Sequence, residues 1–282
     1  MLAAPVPVER HYQYIAGHNE GGWLASFADT LALRYHVAAE LRQNRSPYDL
    51  ARMARYAGSF LAGRLLGRRA LVDDPYALLS AGWLADRFGC RVVVVVRDPA
   101  AMLASWKRLG WTTDLGELLG QPDLMADWLA PYRAELEAVA ATPGDLPGRV
   151  GMLWRMLYLV AAGHERRHEG VRVVRYEDLA TDPQAAFAEL YAWLGLAFGE
   201  RARRAVTQAT TGSARRRAHH WSLSRLSKTG YRPMDSKANL TAWRRQLDPA
   251  EVERVRAVTA DVAGRWYPPS PSGPSLPGGR ST

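Results

Sequence analysis

The segment Arg91–Val96, RVVVVV, constrains this chain more than any other. β-Branched residues favour extended backbone, and a run of them without polar alternation predicts a strand buried on both faces, as in a parallel sheet. Parallel strands need long crossover connections, which are usually helical. The rest of the sequence supplies them. Apolar residues recur at helical spacing over 21–44, 48–66, 76–88, 121–141, 149–167, 184–194, 201–211 and 249–266. Arg97-Asp98-Pro99 ends the valine run, and 100–109 reads as a helix with proline near its first turn. A second strand is expected at Val171–Arg175 and a shorter one at Ala70–Val72, before the turn Asp73-Asp74-Pro75. Short β runs alternating with longer helices predict an α/β fold, a parallel sheet flanked by helices. One domain is expected over 1–267. The Pro/Gly/Ser-rich stretch 268–282 is expected to be a disordered tail.

Composition narrows the function classes. With one cysteine, Cys90, neither a disulfide framework nor a four-cysteine zinc site can form within the chain. No apolar run approaches the roughly 20 residues of a membrane helix, and the first residues lack the layout of a secretory signal. The expectation is a cytoplasmic protein without membrane contact. The formal charge of +9 invites a polyanionic partner, yet 34 of the 37 basic residues are arginine and Ile15 is the only isoleucine. That pattern fits a GC-rich coding bias, so the net charge argues more for a small anionic ligand than for nucleic acid. No metal site is expected: His219-His220 is an adjacent pair with no carboxylate at ligand spacing.

In open α/β sheets, ligands bind beyond the carboxyl ends of the strands. Arg97 leaves its strand there, and Ser105 follows eight residues later, about two turns into the next helix. A guanidinium fork suits phosphate oxygens, a hydroxyl adds a donor, and the helix start offers N–H groups and a favourable dipole. The plainer alternative pairs Arg97 with Asp98 and leaves Ser105 an ordinary helix residue.

The stretch RVVVVVRDPAAMLAS resembles the 3′-phosphate-binding segment of the sulfotransferase family: apolar strand, Arg-x-Pro, then serine eight residues after the arginine. VRVVRYEDLATDPQAAFAELYAWLGL is similar to a second family segment, and SKANLTAWRRQLDPAEVERV to its C-terminal region. The resemblance implies a P-loop NTPase-like sulfotransferase architecture. It also implies a donor, 3′-phosphoadenosine 5′-phosphosulfate (PAPS), whose sulfuryl group passes to a hydroxyl or amine of a small-molecule or carbohydrate acceptor. Arg97 and Ser105 would then grip the 3′-phosphate, Tyr176 would contact the adenine, and Lys237 would close a basic loop over the donor. Trp243 would stack near the nucleotide or anchor the last helix. Glu177 and Asp178 read as structural. The acceptor pocket is expected among 21–66 and 111–141.

Two departures from the family pattern stand out. Neither Pro-x-Ser-Gly-Thr-Thr nor Gly-x-x-x-x-Gly-Lys occurs, and the glycines of 17–22 follow no apolar strand. The expectation is therefore a domain that lacks the family's first strand and 5′-phosphosulfate loop at its N-terminus. Many relatives also carry lysine after the short strand, where this chain has Asp73 and Asp74. These acids are candidates for a general base or for a simple turn and helix cap. A catalytically inactive nucleotide-binding relative is one alternative. A basic nucleic-acid-binding protein is another, resting on Ala214–Arg225, ARRRAHHWSLSR.

Overall fold

The computed structural model describes residues 10–43, 46–210 and 236–268. Its centre is a parallel pair of strands, β1 (Val92–Val96) and β2 (Val171–Arg175), in the register Val92↔Val171 through Val96↔Arg175. The helices, in chain order, are α1 (Leu24–Leu31), α2 (Val37–Gln43), α3 (Pro47–Leu65), α4 (Ala81–Phe88) and α5 (Pro99–Leu109). Short α6 (Gly116–Leu119) and α7 (Pro122–Leu124) lead into α8 (Arg133–Ala140) and the long α9 (Leu146–Arg167). After β2 come α10 (Tyr176–Thr181), α11 (Pro183–Trp193), α12 (Glu200–Thr210), α13 (Ser236–Thr241) and α14 (Pro249–Ala263).

Helix α9 organises the core. Trp154, Met152, Met156 and Val160 are fully buried along it, and it packs against α14, α5, α8 and β2. Its start is fixed by Asp145, whose carboxylate accepts from the Gly148 N–H at 2.8 Å, with proline in the first turn. Gly163 permits close approach: a Cβ there would overlap the Trp128 ring. Helix α14 begins with a reciprocal capping box between Asp248 and Glu251.

The structure corrects the valine-run expectation in one respect. Val94 and Val96 are buried, but Val95 is 43% exposed. The layer formed by α4 and α9 covers one face of the two strands; the described residues leave the opposite face at Val95 open. Residues 70–72 also form no strand, and Leu71 is 91% exposed. Only Val72 of Ala70-Leu71-Val72 is β-branched and the triplet has no ladder partner among the described residues, so a short apolar run alone does not produce a strand.

Two long helical readings divide. The 21–44 segment breaks into α1 and α2 at Leu33, which adopts positive φ (54°). The 121–141 segment becomes α7, a π turn (Met125–Leu129), a 3-10 turn (Ala130–Tyr132) and α8, with Pro122 and Pro131 interrupting regular hydrogen bonding. The 76–88 helix begins as a 3-10 turn (Pro75–Ser80) before α4. On α3, Leu61 and Leu65 remain exposed. The tail expectation and the basic segment Ala214–Arg225, with His219, His220 and Trp221, lie outside the described residues, apart from Pro268.

Candidate functional site

The carboxyl ends of β1 and β2 place Arg97 and Tyr176 side by side. The Arg97 guanidinium lies 4.8 Å from the Tyr176 ring centroid, a cation–π contact. Its Nη2 donates to the Asn239 carbonyl at 3.3 Å, which ties it to α13. Its Nε is buried and has no hydrogen-bond partner among the described residues. Among the described residues Arg97 makes no ion pair, so the expected alternative of pairing with Asp98 is not realised. Asp98 instead caps α5: its Oδ1 accepts from Ala100 N at 2.8 Å and Ala101 N at 3.2 Å. That carboxylate takes the first N–H groups of the helix, so the helix start does not offer them to an anion.

Below the guanidinium the backbone is anchored. Trp154 Nε1 donates to the Arg97 carbonyl at 2.8 Å. The Asp98 N–H donates to Glu177 Oε1 at 3.1 Å, and the Tyr267 hydroxyl donates to Glu177 Oε2 at 2.6 Å. Burial and the Glu177 carboxylate together push the Tyr267 hydroxyl well above its usual range. Glu177 thus ties the β1 exit to the end of α14, which is the structural role expected of it. Arg175, at the end of β2, stacks 5.0 Å over the Tyr267 ring and also has a buried Nε without a hydrogen-bond partner among the described residues.

A sulfotransferase-domain family matches residues 75–267. The chain belongs to the sulfotransferase family. Searches of curated proteins and of solved structures return no match. The parallel strand pair wrapped by helices is the α/β sulfotransferase fold, and the Arg97–Tyr176 corner lies inside the matched region.

The remaining expected sulfotransferase residues are placed as follows. Ser105 sits on α5, half-buried, and its Oγ accepts from Arg108 at 3.4 Å. Lys237 is exposed on α13, which packs against α10, the helix that begins at Tyr176. Trp243 is half-buried against Ala100, Leu103, Val150, Leu247 and Val255, with Arg244 and Arg256 each 5.5 Å from its ring. In this position it anchors α14 to α5. Asp74 caps the 3-10 turn through Tyr76 N at 2.9 Å, whereas Asp73 is exposed outside that cap. No described contact joins either acid to Arg97. The scattered histidines have acidic neighbours: His11 with Glu117 at 2.8 Å, His36 with Asp29 at 2.7 Å and His18 with Asp127 at 3.6 Å.

A separate cavity of about 650 Å³ opens at the other end of the strands, among Tyr14, Trp83, Asp86, Trp128, His164 and His168. Sequence reading misses it. Its histidines are spaced i, i+4 within HERRH at 164–168, a pattern visible in the sequence but embedded in a helix that reads as core. Among the described residues, no group of three or more His, Cys, Asp or Glu side chains could hold a metal ion, and no helix is long and apolar enough to cross a membrane.

Proposed function

We propose that this sulfotransferase-family chain binds the 3′-phosphoadenosine part of PAPS at the Arg97–Tyr176 corner and passes the sulfuryl group to a hydroxyl or amine of a small-molecule or carbohydrate acceptor in the cytoplasm. The observation that carries the reading is the buried, partnerless Nε of Arg97 beside an aromatic face. An unsatisfied buried donor is costly unless a ligand meets it, and a guanidinium edge meets a phosphate with charge-assisted hydrogen bonds. Tyr176 offers the adjoining ring for the base, Ser105 a hydroxyl from the following helix, and Lys237 a cation from α13.

In the transfer, the bond between sulfur and the bridging oxygen breaks and a bond from sulfur to the acceptor oxygen or nitrogen forms. 3′-Phosphoadenosine 5′-phosphate leaves with the electron pair, and the acceptor proton passes to a base. As in phosphoryl transfer, alignment and stabilisation of the charge on the leaving oxygen dominate. Asp73 is a freer candidate for the base than Asp74, whose carboxylate is engaged as a cap.

A second reading, nucleotide binding without transfer, is favoured by the acids at 73 and 74 where many relatives carry lysine. Titration calorimetry with 3′-phosphoadenosine 5′-phosphate and 5′-AMP tests the donor site. The proposal expects a clear preference for the 3′-phosphorylated nucleotide, and equal affinities would remove its basis. Release of 3′-phosphoadenosine 5′-phosphate from PAPS in the presence of hydroxyl or amine acceptors separates the two readings.

A further inference from the structure

Helix α3 carries two apolar faces, and its packing uses one of them. Met53 and Gly63 are buried on the inner side, where Leu33 packs against Gly63 and the Tyr35 and Phe60 rings lie 5.3 Å apart. That side holds α3 to α2 and to the turn between α1 and α2. The outer side carries Leu50, Ala54, Leu61 and Leu65, all exposed, Leu61 by 59% and Leu65 by 76%. At about 100° per residue these four fall within an arc of roughly 60°, so they form one stripe along the helix. Leu66 and Leu71, just beyond the helix end, are exposed as well.

Positive charge borders the stripe. On the helix circumference Arg55 falls to one side of it and Arg64 to the other, and Arg68 and Arg69 follow the helix end. All four are exposed, and none makes an ion pair or a side-chain hydrogen bond among the described residues. Against five arginines over 47–70 there is one acid, Asp49, which is already engaged by the Ser46 hydroxyl and by Arg52.

We propose that α3 is a docking surface for an anionic phospholipid bilayer. The helix lies in the headgroup plane, with Leu50, Leu61 and Leu65 toward the acyl chains and Arg55, Arg64, Arg68 and Arg69 against lipid phosphates. Exposed leucines on one stripe gain by leaving water. The flanking arginines gain from the negative surface potential, and their alkyl stems can cover apolar surface while the guanidinium stays among the headgroups. With arginines on both borders α3 does not span the bilayer; among the described residues no helix is long and apolar enough to do so. Charge complementarity selects this occupant. A second copy of α3 would bring the same arginines together with Asp49 alone to offset them, and a nucleic acid would meet the arginines but leave the leucines in water. The proposal departs from the expectation of no membrane contact and does not depend on the donor-site reading.

Co-sedimentation of the full chain with vesicles tests this, using phosphatidylcholine–phosphatidylserine vesicles against phosphatidylcholine alone. Binding to the anionic vesicles should be about 10-fold or more tighter and should weaken as salt is added. Leu61→Ser/Leu65→Ser and Arg64→Gln/Arg68→Gln should each weaken it by about 10-fold or more. All four side chains are exposed, so both variants should keep the wild-type melting temperature. No binding to anionic vesicles, equal binding to both vesicle types, or binding that neither double variant weakens would overturn the proposal. So would dimerisation, or oligonucleotide binding, that these variants abolish in a chain that ignores vesicles.

Discussion

The indole N–H of Trp154 donates to the carbonyl of Arg97 at 2.8 Å, joining a fully buried side chain of α9 to the residue that ends β1. The position of the Arg97 backbone is therefore fixed by the core and not by the loop it begins. Trp154→Phe keeps an aromatic ring, deletes the donor and leaves a void where the larger indole stood. The unpaired carbonyl alone costs about 1–3 kcal/mol, so urea denaturation should show a loss of at least that size. Nucleotide affinity should fall as well, since Arg97 loses its support. An unchanged midpoint with unchanged affinity would show that the bond supports neither.

Asp145 links the α9 cap to α14. Burial alone would raise its carboxyl, but the hydrogen bonds from Arg254 and Gly148 and the Arg254 charge outweigh burial and hold it below its usual value. A carboxyl with a lowered folded pKa stabilises above its unfolded value of about 3.9, and that stability is lost as pH falls through the folded pKa. Asp145→Asn should therefore cost about 1 kcal/mol at pH 7 through the weakened cap and pair. Urea midpoints of the two proteins, measured from pH 7 down to pH 3, should converge at the acid end. A gap that stays constant would separate the effect from ionisation.

Gly163→Ala places a methyl group into the Trp128 ring. Overpacking of this kind costs about 1–3 kcal/mol, and calorimetric melting should show a lowered Tm. A methyl added at exposed Gly144, where nothing lies within 4 Å, should cost far less.

The parts of the fold legible in the sequence are those whose local signal and tertiary role agree. The β-branched runs at 92–96 and 171–175 became strands because each is the other's ladder partner. Arg97-Asp98-Pro99 was readable as a strand stop and helix start because proline and an N-cap acid act locally. Residues 70–72, Ala-Leu-Val, are apolar but carry one β-branched residue and have no ladder partner among the described residues. The break at Leu33 and the irregular turns at 125–132 depend on backbone geometry that apolar spacing does not report. Tyr176–Thr181, to which the apolar spacing assigns no element, forms a short helix whose start Glu177 and Asp178 favour.

At the candidate site, the positions of Arg97 and Tyr176 after the strands are legible in the sequence. The cap role of Asp98 and the Nε of Arg97 without a partner among the described residues depend on tertiary placement. The cavity at His164 and His168 is not legible because it is lined by residues from segments far apart in the chain.

The donor assignment is tested most directly by the affinities of 3′-phosphoadenosine 5′-phosphate and 5′-AMP for the wild-type chain and for Arg97→Ala. Losing a charge-assisted hydrogen bond to phosphate costs about 1.5–3 kcal/mol, roughly 10- to 100-fold. The wild type should prefer the 3′-phosphorylated nucleotide, and Arg97→Ala should lose most of that preference while its weak binding of 5′-AMP changes little. A preference that survives the substitution intact would place the 3′-phosphate site elsewhere in the fold.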